Sequence, residues 1–127
     1  MTTILLADHD PKVRSAMRSI LEQQPQCGQI IELESSEGLV EKALEHQAKI
    51  VILEWELPGV TTNAQLITQL RKEIENVKIV SISGRERVGQ LAMALGASAF
   101  INKSDSPDKL LDCVQKCCGD HSTEGSV

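Results

Sequence analysis

Charged and polar residues follow several short apolar runs of this sequence, and they include carboxylates, a hydroxyl and a lysine. Carboxylates coordinate divalent cations, a hydroxyl donates a hydrogen bond to an anionic oxygen, and a lysine neutralises developing negative charge. The residues concerned are Asp8, His9 and Asp10 after the first run, Glu54 and Glu56 after the third, Ser83 after the fourth and Lys103 after the fifth. A carboxylate after a strand is more often a solvated loop residue, so the elements that position these residues decide their meaning.

Five apolar runs are predicted to form strands, and each precedes residues with helical spacing. The predicted strands cover Ile4–Ala7, Ile30–Leu33, Ile50–Leu53, Lys78–Ile82 and Ala99–Ile101. Parallel strands need long right-handed crossovers, so five strand-then-helix units predict a doubly wound parallel α/β sheet with helices on both faces. Functional crevices of such sheets lie beyond the carboxyl ends of the strands, where we expect the polar residues to meet.

Local signals predict where several helices begin and end. A capping residue followed by proline occurs at Asp10–Pro11 and again at Ser106–Pro107, while Thr61–Thr62 offers caps after the turn that follows the third strand. Ser35–Ser36 is a candidate cap for the second helix. The first helix is expected to end near Pro25–Gly28.

Length and composition indicate one globular domain without a nucleic-acid-binding or membrane-spanning surface. The chain has 127 residues, of which 24% are charged, and its formal net charge is -5. Nucleic-acid-binding surfaces are normally basic, and no apolar run approaches the length of a membrane span. The N-terminus lacks a basic region before its apolar run, so it does not resemble a secretory signal, and we expect a cytoplasmic protein.

The four cysteines are predicted to be structural. Cys113, Cys117 and Cys118 lie in one helical segment, in which Cys117 and Cys118 share an apolar face with neighbouring leucines and valine. No second pair of cysteines or histidines completes a zinc site, so small buried side chains are the favoured interpretation. Cys27 is isolated in the sequence and is expected to be inert.

The order of the polar residues resembles that of response-regulator receiver domains, the CheY-like phosphoacceptor modules of two-component signalling. Pro58 places Glu54 at the phosphoacceptor position, four residues earlier. Ser83 and Lys103 match the positions that contact the phosphoryl group. Phe100, three residues before Lys103, matches the switch aromatic residue.

The resemblance covers about residues 2–118, which gives a receiver-like domain over residues 1–118. It implies a flavodoxin-like sheet with strand order 2-1-3-4-5 and five helices. Residues 119–127 are then a flexible tail or the start of a linker. Receivers joined to helix-turn-helix DNA-binding domains contain segments similar to LLADHDPKVR and GASAFINKSDSPDKLL. The implied partners are a histidine kinase, an effector domain or a second copy of the chain.

Two departures from the family pattern weaken the expected chemistry. The phosphoacceptor position holds Glu54 instead of aspartate, which moves the carboxylate about 1.5 Å further from the backbone. The second acidic position is His9, and imidazole is a poor ligand for Mg²⁺. By resemblance the magnesium site would comprise Asp8, His9, Glu54 and Glu56, the last through its main-chain carbonyl, so we predict a weak or absent Mg²⁺ site.

These observations favour a receiver or pseudo-receiver that relays signals through protein contacts, with phosphorylation impaired or absent and no catalytic residue. The alternative is a phosphorylatable receiver that uses Glu54 or a nearby acid with a weakened Mg²⁺ site. A small metal-dependent hydrolase is disfavoured because the sequence offers neither a nucleophile with an orienting base nor a substrate pocket. A glutamate introduced deliberately as a phosphate mimic is a further alternative, and the state that Glu54 favours is open.

Overall fold

The computed structural model describes the backbone of residues 1–126 and the side chains of residues 1–118. Five parallel strands form one sheet in the order β2-β1-β3-β4-β5, and five helices connect and follow them. The elements in chain order are β1 Thr2–Ala7, α1 Pro11–Leu21, β2 Cys27–Leu33, α2 Leu39–Glu45, β3 Ile50–Glu54, α3 Asn63–Glu73, β4 Lys78–Ser83, α4 Val88–Leu95, β5 Ala99–Asn102 and α5 Pro107–Ser126. The predicted doubly wound, flavodoxin-like sheet with five helices is confirmed.

The sheet is buried on both faces because its central strands carry runs of successive apolar residues. In β1, Leu5 packs with α2 and α3 in one core, while Ile4 and Leu6 pack with α1 and α5 in the other. This alternation follows from the two-residue period of a strand, which sends successive side chains to opposite faces. The carboxyl edge of the sheet is therefore the place where charged side chains can lie next to the core.

Two of the predicted helix starts are confirmed by side-chain caps. The Asp10 carboxylate accepts a hydrogen bond from the Lys12 amide at 2.9 Å and caps α1. Thr62 caps α3 in a reciprocal arrangement with Gln65, in which each side chain binds the other residue's backbone amide.

Two boundary predictions were wrong for reasons of local packing. Helix α1 ends at Leu21, because the chain then turns so that Cys27 can begin β2 beside Thr2. Helix α2 begins after Gly38, without a side-chain cap. Ser36 does not cap it: the Ser36 amide donates to the carbonyl of Pro58 at 2.8 Å, and its hydroxyl accepts from the Thr61 amide at 3.4 Å.

The cysteines lie in or beside the core between the sheet and helices α1 and α5. Cys117 and Cys118 are buried there, and Cys113 packs against the same core, as predicted. Cys27, isolated in the sequence, also packs against this core. The expected tail over residues 119–127 lies outside the residues with described side chains and stays a prediction. Within the described residues, no helix is long and apolar enough to cross a membrane.

Candidate functional site

The carboxyl ends of β1, β3, β4 and β5 bring the predicted polar residues together. Strand pairing places Glu54 opposite Ile82 and Ser83 opposite Asn102. The Lys103 amide donates to the carbonyl of Ser83 at 2.9 Å, which fixes the chain directly after β5. The parallel register alone thus directs side chains from four strand ends into one crevice.

Asp8, His9, Glu54 and Lys103 form what we call the inner cluster. The Asp8 and Glu54 carboxylates are fully buried, at 0% and 1% exposure. Lys103 Nζ lies 2.8 Å from Glu54 Oε2 and 2.9 Å from Asp8 Oδ2. The His9 amide donates to Glu54 Oε1 at 2.9 Å, and His9 Nδ1 lies 2.8 Å from both carboxylate oxygens of Glu54. Two buried anions therefore share one lysine and one imidazole.

These contacts shift the proton affinities of the inner cluster. The hydrogen bond and the negative charge of Glu54 raise the pKa of His9. Burial by itself would raise the pKa of Glu54, but hydrogen bonds from Lys103 and His9 outweigh burial and lower it. Burial opposes the charge of Lys103, and the hydrogen bond to Glu54 and the nearby carboxylates raise its pKa nonetheless. These contacts favour the charged forms of His9, Glu54 and Lys103 relative to the free side chains.

Ser83, Glu56 and Arg85 form a second group, the outer cluster. The Ser83 hydroxyl donates a hydrogen bond to Glu56 Oε2 at 2.8 Å. Arg85 Nε and the Arg85 backbone amide donate to Glu56 Oε2 and to Ser83 Oγ, both at 3.1 Å. Arg85 Nη2 also lies 3.1 Å from Glu56 Oε2, which completes an ion pair. Ser83 is thus bound by Glu56, whereas Glu54 is bound by Lys103 and His9.

The remaining predicted residues occupy supporting places. Asp10 caps α1 and does not turn into the crevice. Phe100 packs against α4, where a Cβ added at Gly89 would lie 2.9 Å from Phe100 Cδ2. Glycine at this position therefore leaves room for the aromatic ring. Glu56 lies outside the group of carboxylate and imidazole donors formed by Asp8, His9 and Glu54.

Two asparagines that the sequence did not single out hold the loops of the site. The Asn63 amide donates to the carbonyls of Glu54 and Trp55 at 3.1 and 3.0 Å. The Asn102 amide donates to Glu86 Oε2 at 2.7 Å, and its carbonyl oxygen accepts from Ser104. The only sequence signal for these residues is their position: Asn63 begins a helix and Asn102 ends a strand beside the site. Both act over distances along the chain that local patterns do not reveal.

The donor set does not suit Mg²⁺. This ion prefers oxygen ligands in octahedral geometry, whereas the cluster directs an imidazole nitrogen to the Glu54 carboxylate. The ammonium of Lys103 already neutralises part of the charge of both buried acids. The prediction of weak or absent Mg²⁺ binding rests on these contacts and stays a prediction.

Comparisons with known proteins agree with this arrangement. Residues 4–115 match the family model of the response regulator receiver domain. The chain belongs to this family. It is 25% identical over 116 residues to the nitrate/nitrite response regulator NarL of Escherichia coli K12, which covers 90% of this chain and 53% of NarL. The receiver domain thus spans about half the length of the curated relatives that it matches.

Solved structures show the same fold. The receiver domain matches the REC domain of AraT, a response regulator from Geobacillus stearothermophilus, with a TM-score of 0.86, 21% identity and 98% coverage of both chains. It also matches the receiver domain of a putative NarL from Mycobacterium tuberculosis, with a TM-score of 0.80, 19% identity and coverage of 91% and 94%. Receiver domains are signalling domains of two-component response regulators, and this chain is one of them.

Proposed function

We propose that this receiver domain relays signals through protein contacts, with phosphorylation impaired or absent. The observation that carries the proposal is the engagement of Glu54 at the phosphoacceptor position. Both oxygens of its carboxylate are bound by His9, and one is also bound by Lys103 at 2.8 Å. A carboxylate with these partners is a poor nucleophile, because attack on phosphorus requires it to leave them.

The outer cluster supports the same proposal. In the family pattern, the hydroxyl after the fourth strand and the lysine after the fifth contact the phosphoryl group. Here the Ser83 hydroxyl donates to Glu56, and Lys103 binds Glu54. Two carboxylates of the chain itself thus supply the anionic partners that a phosphoryl group would otherwise provide. The domain can hold one switch state without modification.

Geometry and charge add to the argument. The extra methylene of glutamate displaces the carboxylate by about 1.5 Å. Misplacement on the order of 1 Å can cost about a hundredfold in rate when positioning supplies most of the catalysis. Among residues 1–118, Asp8 and Glu54 are the acids that pair with Lys103, and His9 occupies the second acidic position. Activation of a phosphoryl donor is therefore weak.

The relatives of the domain support a proposal for its wider context. We infer a cytoplasmic protein, without enzymatic turnover, that contacts a histidine kinase, an effector domain or a second copy of itself. The segments LLADHDPKVR and GASAFINKSDSPDKLL, which resemble receivers joined to helix-turn-helix DNA-binding domains, support a role in transcription regulation. The net charge of -5 argues that nucleic acid is not bound by this domain itself.

Incubation with Mg²⁺ and a small acyl-phosphate donor, followed by intact-mass measurement, tests the proposal. We expect no stoichiometric gain of a phosphoryl group by the unaltered chain. The double variant Glu54→Asp/His9→Asp is the positive control and should take up one group. Magnesium titration monitored by the fluorescence of Trp55, the only tryptophan, should show quenching that is stronger in the double variant.

A gain of one phosphoryl group by the unaltered chain would overturn the proposal. Its loss in Glu54→Gln would identify Glu54 as the acceptor. Its persistence in that variant would place the group on a neighbouring acid, and the phosphorylatable receiver would then be the correct interpretation.

A further inference from the structure

We propose that the inner cluster binds a first-row transition-metal ion such as Zn²⁺ in preference to Mg²⁺. The ligands are His9 Nδ1 and one carboxylate oxygen each of Asp8 and Glu54. The proposal goes beyond the proposed function, because it depends on the donor atoms and not on whether Glu54 is phosphorylated.

The positions of the donor atoms suit such an ion. One ligand atom from each of the three residues lies within 4.8 Å of the other two. His9 Nδ1 is 2.8 Å from Glu54 Oε1 and 3.9 Å from Asp8 Oδ1. Ligands in a tetrahedral zinc site, with bonds of about 2.0–2.1 Å, stand about 3.3 Å apart. The two separations from His9 Nδ1 would therefore change by roughly 0.5–0.6 Å to reach this value, and the third lies within the same 4.8 Å limit.

Neighbouring hydrogen bonds orient the two carboxylates. Asp8 Oδ1 accepts from the Asp10 amide at 2.8 Å, and Glu54 Oε1 accepts from the His9 amide at 2.9 Å. Lys103 lies at the other oxygen of each carboxylate, so its ion pairs and the metal use different oxygens. Backbone donors that fix metal-binding carboxylates are a common second layer of metal sites. Backbone amides thus hold the Asp8 and Glu54 carboxylates in position before a metal ion binds.

The chemistry of the ligands decides between metals. Imidazole binds zinc, copper, nickel and iron well, whereas Mg²⁺ requires oxygen ligands and gives up its water reluctantly. His9 must lose its proton to bind a metal ion, and two carboxylates and one lysine then leave a net charge of about -1, which favours a dication. The His9 side chain is 54% exposed, so an ion can enter from solvent beside it.

Calorimetric titration of the purified chain with Zn²⁺ in the presence of excess Mg²⁺ tests this proposal. We expect one zinc ion to bind per chain despite the magnesium. His9→Ala should weaken zinc binding at least about tenfold. His9→Asp, which restores a second acid, should shift the preference toward Mg²⁺ by at least about tenfold. His46→Gln is the matched control, since His46 caps the end of α2 outside the cluster, and zinc binding should be retained.

Absorption spectra with Co²⁺ supply a measurement that needs no variant. A nitrogen and oxygen ligand set gives ligand-field bands without the charge-transfer band of a cobalt–thiolate bond. A thiolate band would place the metal at the cysteines and overturn the proposal. Zinc affinity unchanged in His9→Ala, or zinc displaced by equimolar Mg²⁺, would overturn it as well.

Discussion

Glu54 and Glu56 are two residues apart, yet they occupy very different environments. Glu54 is 1% exposed and contacts a lysine and a histidine in the inner cluster. The Glu56 side chain is 37% exposed and contacts a serine and an arginine in the outer cluster. The Glu54 carboxylate is part of a buried group of charges at the edge of the sheet, whereas the Glu56 carboxylate binds the loop after β4. Residue type alone therefore says little about the role of an acid at this edge.

The turn after β3 creates the difference. Glu54 is the last residue of β3 and keeps its register with β4. The Trp55 amide donates to the carbonyl of Ile82 at 2.8 Å, and the Leu57 amide donates back to the carbonyl of Glu54 at 3.2 Å. The chain thus turns across the end of β4, which brings Glu56 to Ser83 while Glu54 stays next to β1.

Removing the cation of the inner cluster should have the largest effect. Lys103→Met leaves Asp8 and Glu54 buried beside each other without their ammonium partner. Loss of one partner from a buried ion pair costs about 3 kcal/mol or more in the free energy of unfolding, and we expect a loss of this order. Urea unfolding at neutral pH measures it.

The matched control removes the cation of the outer cluster. Arg85 and Glu56 are both partly solvated, at 53% and 37% exposure, so Arg85→Met should change the free energy of unfolding by less than about 1 kcal/mol. Equal losses of unfolding free energy in Lys103→Met and Arg85→Met would show that the cation of the inner cluster matters no more for stability than the cation of the outer cluster.

The hydrogen bond between Glu56 and Ser83 should have an intermediate effect. A double-mutant cycle with Glu56→Gln and Ser83→Ala is expected to give a coupling energy of about 1 kcal/mol, as for a partly exposed hydrogen bond to a charged group. Phe100 is the only phenylalanine, so fluorinated phenylalanine gives a single ¹⁹F resonance that reports on its packing against α4. Glu56→Gln should shift this resonance.

Glu45→Gln supplies the control for that measurement, since Glu45 lies on the surface of α2, away from both clusters, where it pairs with Lys42 at 3.8 Å. A ¹⁹F resonance that moves equally in both variants would mean that the outer cluster does not influence the switch aromatic. Zero coupling in the cycle would mean that the hydrogen bond contributes nothing measurable.

Local sequence signals correctly predicted the strands and helix caps that position the site. The strand ends, the Asp10 and Thr62 caps and the meeting of Asp8, Glu54, Ser83 and Lys103 all follow from periodicity and the geometry of parallel sheets. These features depend on residues close together in the sequence or on rules that hold for every such sheet. Hence the crevice could be located before any coordinates were known.

Pairings across the crevice could not be predicted in the same way. Ser83 binds Glu56 because of the turn at Trp55, and Ser36 fails to cap α2 because the loop around Pro58 binds it. The role of Asn63 likewise depends on two carbonyl groups that only the folded turn presents. Such contacts join residues whose distance is fixed by tertiary structure, so no local pattern reveals them.

The smallest expected effect is the dependence of stability on pH that His9 provides. Its pKa is raised above the ordinary 6.5, chiefly by the hydrogen bond and charge of Glu54. The contribution of His9 to the free energy of unfolding is then fully present below about pH 6.5 and is lost as the pH rises through the folded-state pKa.

Urea midpoints between about pH 6 and pH 9 should therefore fall in the unaltered chain more steeply than in His9→Gln. The control His46→Gln, outside both clusters, should keep the slope of the unaltered chain. A slope as steep in His9→Gln as in the unaltered chain would show that the imidazole is not stabilised by Glu54. In that case Lys103 alone would stabilise the buried acids of the inner cluster. The two clusters would then differ in burial and not in the number of partners that Glu54 has.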